Sequence, residues 1–80
     1  MYKSEVTYKI KLDDIVIPNK FKKHPPKINK LASRIIYYLT NHEFEAPIVV
    51  NNKFVLVDGY TSYLIAKKVG MKHLDVYFVK

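Results

Sequence analysis

Apolar residues change period along this chain, from two to about 3.6 and back, and no other property restricts its fold so tightly. Val6, Tyr8, Ile10 and Leu12 alternate with Thr7, Lys9, Lys11 and Asp13, as in a strand with one wet face. Asp13 and Asp14 then turn the chain into a short strand-like run, Ile15 to Ile17, which Pro18 closes. A basic loop from Asn19 to Pro26 follows, and its Pro25-Pro26 pair suits the first turn of a helix, where a missing N–H costs nothing. From Lys27 to Thr40, Ile28, Leu31, Ala32, Ile35, Ile36 and Leu39 recur at i, i+3, i+4, i+7, i+8 and i+11, which predicts an amphipathic helix. Its apolar arc spans about 140° of the wheel, with Lys27, Lys30 and Arg34 on the opposite side and Tyr37 and Tyr38 flanking them.

The apolar runs Ile48 to Val50 and Phe54 to Val57, parted by Asn51-Asn52, predict a hairpin with a two-residue turn, because Asn tolerates positive φ. The second arm runs into Asp58-Gly59. A second helix from Tyr60 to Val69, closed by Gly70, comes next, with Ser62, Ile65, Ala66 and Val69 on one face. In the last strand Leu74, Val76 and Phe78 alternate with Asp75, Tyr77 and Val79. The order is strand, short strand, helix, hairpin, helix, strand, which makes an α+β fold with a mixed sheet and two main helices. Eighty residues bury only about 60% of their unfolded surface, so residues 1–80 form one domain with one core.

Composition then removes whole classes of chemistry. No cysteine is present, which excludes disulfides, thiolate zinc sites and thiol catalysis. The scattered His24, His42 and His73 do not propose a metal site. No apolar run approaches the ~20 residues of a membrane span, and the segment Met1 to Ile10 lacks the apolar block of a signal peptide, so a cytoplasmic location is expected. Against seven Asp+Glu stand 14 Lys+Arg, a net charge of +7. The excess is clustered: Lys20, Lys22, Lys23, Lys27, Lys30 and Arg34 lie between Ile15 and His42 with no carboxylate among them. Such a segment, with His24 inside it, suits phosphate backbones, and Tyr37 and Tyr38 are candidate stacking platforms.

The hexapeptide Val57-Asp58-Gly59-Tyr60-Thr61-Ser62 carries the most chemistry. A strand ends at a glycine and a helix begins at once, presenting unpaired N–H groups and the positive end of a dipole to an anion. Gly59 admits close approach to the backbone, the Thr61 and Ser62 hydroxyls are potential phosphate donors, and Asp58 or Thr61 is the expected cap.

Leu12-Asp13-Asp14-Ile15 to Pro18-Asn19, Ala46-Pro47-Ile48-Val49-Val50, Val57-Asp58-Gly59 before a helix that ends at Gly70, and Leu74-Asp75-Val76 together resemble the ParB N-terminal domain, the ParB/sulfiredoxin fold, from about Tyr8 to Val79. The resemblance implies a small mixed sheet with helices packed on it and a nucleotide phosphate at the glycine-to-helix turn. ParB-type members carry Gly-Glu-Arg-Arg there, whereas this chain has Gly59-Tyr60-Thr61-Ser62. Both arginine clamps are missing. Sulfiredoxins carry Gly-Cys-His-Arg, so Tyr60 replaces the catalytic cysteine and that chemistry is excluded. In this fold the loop before the first helix lies near the turn, which makes Lys22, Lys23, His24 and Lys27 the expected substitutes.

The expected function is therefore a small basic module binding nucleic acid or a nucleotide phosphate non-covalently, without sequence-specific reading, since the helix-turn-helix domain of full-length ParB proteins has no counterpart here. No cofactor is specified; the resemblance makes room for a nucleoside triphosphate with magnesium. Glu43, Glu45 and Asp58 are the carboxylates expected near the turn and have no metal-ligand spacing, so turnover is not the leading expectation, and a nucleotide hydrolase or nuclease that depends on Asp58 stands as a third reading. The alternative is a protein-interaction module, a regulator or inhibitor from a phage, plasmid or other mobile element, using Tyr2, Tyr37, Tyr38 and Tyr60 as contact residues. The first and last strands are the expected sheet edges, through which a homodimer would pair.

Overall fold

The computed structural model describes residues 6–79. Strand β1 (Tyr8–Lys11) leads through a single 3-10 turn (Leu12–Asp14) to helix α1 (Asn19–Lys23) and helix α2 (Ile28–Asn41). Strands β2 (Val49–Val50) and β3 (Leu56–Asp58), helix α3 (Tyr60–Lys68) and strand β4 (His73–Phe78) complete the chain. The sheet is mixed, in the order β1-β4-β2-β3: β4 is antiparallel to β1 and parallel to β2, and β2 is antiparallel to β3. The α+β expectation holds, and the fold is that of a four-stranded mixed sheet with three helices.

The last strand is not an edge. β4 lies between β1 and β2, because a strand arriving after α3 can cross over to run parallel beside β2. Only β1 keeps the expected edge position at that end. Burial follows: Leu74 and Val76 of β4 are buried while Asp75 is exposed, and Val49 and Val50 of central β2 are both covered completely. The core joins Leu12, Ile15, Ile48, Val50, Leu56 and Tyr63 with Ala66, Leu74 and Val76. The expected short strand at Ile15 to Ile17 contracts to one parallel bridge, Val16 to Val55.

The hairpin turn differs from expectation as well. Asn51 O accepts from Phe54 N at 2.9 Å, and the Asn51 side chain accepts from the N–H groups of Lys53 (2.8 Å) and Val55 (3.0 Å). Asn51 thus organises a longer loop with its carboxamide, and positive φ falls on Phe54 (63°) rather than on an asparagine. Pro25 and Pro26 do not enter the helix either; they form the link between α1 and α2, whose N-cap is Lys27.

Helix α2 is turned about its axis. Leu31, Arg34, Ile35, Tyr37 and Tyr38 are half-buried, while Ile28 (83% exposed), Ile36 (63%) and Leu39 (61%) face outward. The centre of the buried side lies roughly 90° from the centre of the apolar arc at ~100° per residue. Contacts from the next loop hold this orientation: Glu45 Oε1 pairs with Arg34 Nε at 3.0 Å, and Phe44 stacks on Tyr38 at 4.9 Å. Arg34, which the helical wheel places opposite the apolar arc, is therefore half-buried.

Candidate functional site

Gly59 fixes the junction between β3 and α3. Its φ of 91° is left-handed, and a Cβ there would collide with Pro47 O and lie 2.8 Å from Ile48 Cα. The segment 46–48 therefore crosses directly over the turn. It is pinned there by Ser62, whose Oγ donates to Ala46 O at 2.7 Å. Ser62 is only 2% exposed, so its hydroxyl hydrogen is committed to the scaffold; what it can offer an anion is its N–H.

The N-cap of α3 is Gly59, which has no side chain to contribute. Asp58 Oδ1 accepts the Gly59 N–H at 2.8 Å, and the first intrahelical bond runs from Tyr63 N to Gly59 O. The N–H groups of Tyr60, Thr61 and Ser62 precede it and have no acceptor within the helix. All three residues line a cleft of about 280 Å³. On its other side stand His24, from the end of α1, and Lys30 and Arg34, from α2.

The basic segment is thus divided by geometry. His24, Lys30 and Arg34 reach the junction with Asp58, Gly59, Tyr60, Thr61 and Ser62, whereas Lys20, Lys22, Lys23 and Lys27 are exposed and do not line the cleft. The short α1 aims Phe21 at Tyr60, ring centroids 5.3 Å apart, which turns its lysines outward; Lys20 Nζ lies over the Phe21 ring at 5.3 Å. Of the substitutes expected for the missing arginines, His24 stands at the cleft and Lys22, Lys23 and Lys27 do not. Lys30 and Arg34 are the cations that do, and α2's rotation brings the guanidinium in. Nothing in the helical period signals that rotation.

The tyrosines are less available than expected. Tyr60 stacks on Tyr63 as well as on Phe21, Tyr38 is covered by Phe44 and its hydroxyl meets Met71 Sδ at 3.7 Å, and Tyr37 is half-buried. Tyr2 lies outside the described residues. Glu45, one of the carboxylates expected near the turn, holds Arg34. Among the described residues no group of His, Asp and Glu is arranged to hold a metal ion, and no helix is long and apolar enough to cross a membrane.

No protein-family model matches the sequence, and no curated protein matches it. Solved structures do. The C2221 crystal form of a pNOB8-like ParB N-domain superimposes with a TM-score of 0.74 at 22% identity, covering 90% of this chain. A second pNOB8-like ParB N-domain structure gives 0.69 at 22% identity and 98% coverage. The chain spans 28% and 30% of the length of those two proteins. The fold is that of a ParB N-domain.

Proposed function

We propose that this ParB N-domain-like module binds a phosphate group, of a nucleotide or of a nucleic-acid backbone, in the cleft at the N-terminal end of α3, without covalent chemistry. One observation carries the reading: α3's N-terminus, with three N–H groups free of intrahelical acceptors, opens on the same cleft as Lys30 and Arg34. The helix end supplies directed donors and positive potential, and the Lys30 and Arg34 side chains supply charge. Gly59 lets the 46–48 segment seat against the turn from which α3 starts. Arg34 arrives from α2 rather than from the turn itself, and Glu45 orients it through Nε. Each charge-assisted contact contributes roughly 1.5–3 kcal/mol, so two cations offset much of what the loss of two turn arginines removes. Lys20, Lys22, Lys23 and Lys27 form a second tier on the exposed approach, suited to further phosphates of a strand.

The test is a thermal-shift screen with CTP, ATP, GTP and a short DNA at two salt concentrations, with and without magnesium. Ligand at about 100 times Kd adds about 2.7 kcal/mol of stability. A nucleotide-specific shift identifies a mononucleotide site. A shift with DNA alone, with log K falling against log salt at a slope of about −4 to −5, identifies backbone binding. Absence of any shift at low salt with all four removes the proposal.

A second reading, a protein-interaction module, is favoured by the outward stripe Ile28, Ala32, Ile36 and Leu39 on α2, which takes over the role expected of the tyrosines. Recovery of a single host protein that resists nuclease treatment and is lost on Ile36→Asp supports it.

A further inference from the structure

We propose that the cleft at the C-terminal end of α3 is a second binding site, for a small organic anion: a phosphate or carboxylate group carried on an apolar body. It lies at the opposite end of the helix from the cleft described above and shares no residue with it. The second cleft encloses about 410 Å³. Buried Leu12 and half-buried Met71 form part of its lining, and Lys11, Lys67, Lys72 and His73 surround them. Gly70 leaves room at one wall, for a Cβ there would meet nothing within 4 Å. The space far exceeds the ~30 Å³ that one water occupies and falls in the range of roughly 300–1,000 Å³ typical of sites for small organic molecules.

The lining carries an excess of positive charge. Lys11, Lys67 and Lys72 join none of the ion pairs seen among the described residues. Asp13 is the one carboxylate in the lining, and it lies close enough to Tyr63 that, after burial, its charge helps hold that phenol above the ordinary tyrosine range. A helix C-terminus ordinarily repels anions through its free carbonyls. Here three carbonyls of the last turn are taken: Met71 N–H donates to Ala66 O (3.0 Å), Gly70 N–H to Lys67 O (3.3 Å) and Val69 N–H to Ile65 O (2.9 Å). This is a Schellman closure, made possible by Gly70 at φ 83°. The Lys72 carbonyl is occupied too, by the Leu12 N–H at 2.9 Å. Ammonium groups and an imidazole thus dominate the rim over an apolar floor, which selects a ligand with both characters.

Amide chemical shifts of the isotope-labelled full chain, followed during titration with phenyl phosphate, benzoate, phenol and inorganic phosphate, test the proposal. Saturable shifts at Gly70, Met71, Lys72 and His73 are expected with phenyl phosphate or benzoate, and the tighter of the two identifies the head group. Phenol and inorganic phosphate, each lacking one half of the ligand, bind at least about tenfold more weakly. Combining Lys67→Gln with Lys72→Gln weakens the anion by about tenfold or more, whereas Lys30→Gln and Arg34→Gln leave these shifts unchanged. The proposal is overturned if neither anion moves these amides saturably, if phenol binds as well as the anions, or if the double lysine variant binds normally. Because the readout sits at the far end of α3, it succeeds or fails independently of phosphate binding at the N-terminal cleft.

Discussion

Replacing Gly59 and Gly70 by alanine, one at a time, separates backbone strain from collision. Both glycines have left-handed φ, 91° and 83°. For an L-residue this conformation costs about 1–2 kcal/mol, and alanine recovers about 0.4–1 kcal/mol by restricting the unfolded chain. Gly70 has open space around its missing Cβ, so Gly70→Ala should cost only the difference, about 1 kcal/mol. At Gly59 the new methyl meets the backbone of Pro47 and Ile48, which no rotamer change can clear. Forcing that segment aside adds the roughly 1–3 kcal/mol of overpacking, and it strains the Ser62 to Ala46 bond that holds the segment down. Gly59→Ala should therefore cost about 3 kcal/mol, a large part of the ~4–12 kcal/mol expected for a domain of this size. Urea denaturation followed by far-UV circular dichroism measures both, and thermal melting should separate them by roughly 8–16 °C at 4–8 °C per kcal/mol. Equal losses in the two variants, or a Gly59→Ala protein within about 1 kcal/mol of the parent, would falsify the claim that the 46–48 segment seats on a bare backbone.

Four further outcomes follow from the same contacts. Ser62→Ala leaves the Ala46 carbonyl without its buried donor and should lower stability by about 1–3 kcal/mol in urea titrations. Leu56→Ala, at 1% exposed, should cost about 2–5 kcal/mol, whereas Ile36→Asn, at 63% exposed, should stay within about 0.5 kcal/mol; a large loss at Ile36 would mean that α2 seats its apolar arc inward after all. Burial first and Asp13 second raise the Tyr63 phenol above its ordinary value of 10.0, so the neutral form is favoured in the folded state. Stability from this group is full below pH 10.0 and is lost as pH rises through the folded value; Tyr63→Phe should flatten the alkaline limb of a stability–pH curve, and an unchanged limb refutes the assignment. Arg34→Gln should weaken phosphate binding about tenfold while changing stability by no more than about 1 kcal/mol, a split readable by calorimetry against melting.

Much of the architecture is written in local pattern. Alternation at Leu74 and Val76 marks the inward side of a strand, the 3.6-residue repeat marks α2, and Gly70 after a helix marks its left-handed end, because each depends on neighbours within a few positions. Gly59 was equally legible as a junction, since a strand-to-helix turn this tight has few other residues available to it. The turn at Asn51 was legible as a turn but not in its form, for the choice between asparagine and Phe54 at positive φ depends on where the Asn51 carboxamide finds donors.

Sequence alone thus marked the two longer helices and the main strands, and determined that the charge is concentrated before residue 42 and that a glycine opens α3; it read as a basic loop the segment that forms α1. Only the tertiary structure decided that β4 enters the middle of the sheet, that α2 turns Arg34 inward and leaves Ile28 and Ile36 outside, and that Lys30 rather than Lys22 or Lys23 lines the cleft at the N-terminal end of α3. Periodicity specifies that a face exists. Its rotation about the helix axis is set by what arrives from elsewhere, here Glu45 on Arg34 and Phe44 on Tyr38, partners whose positions no local pattern encodes.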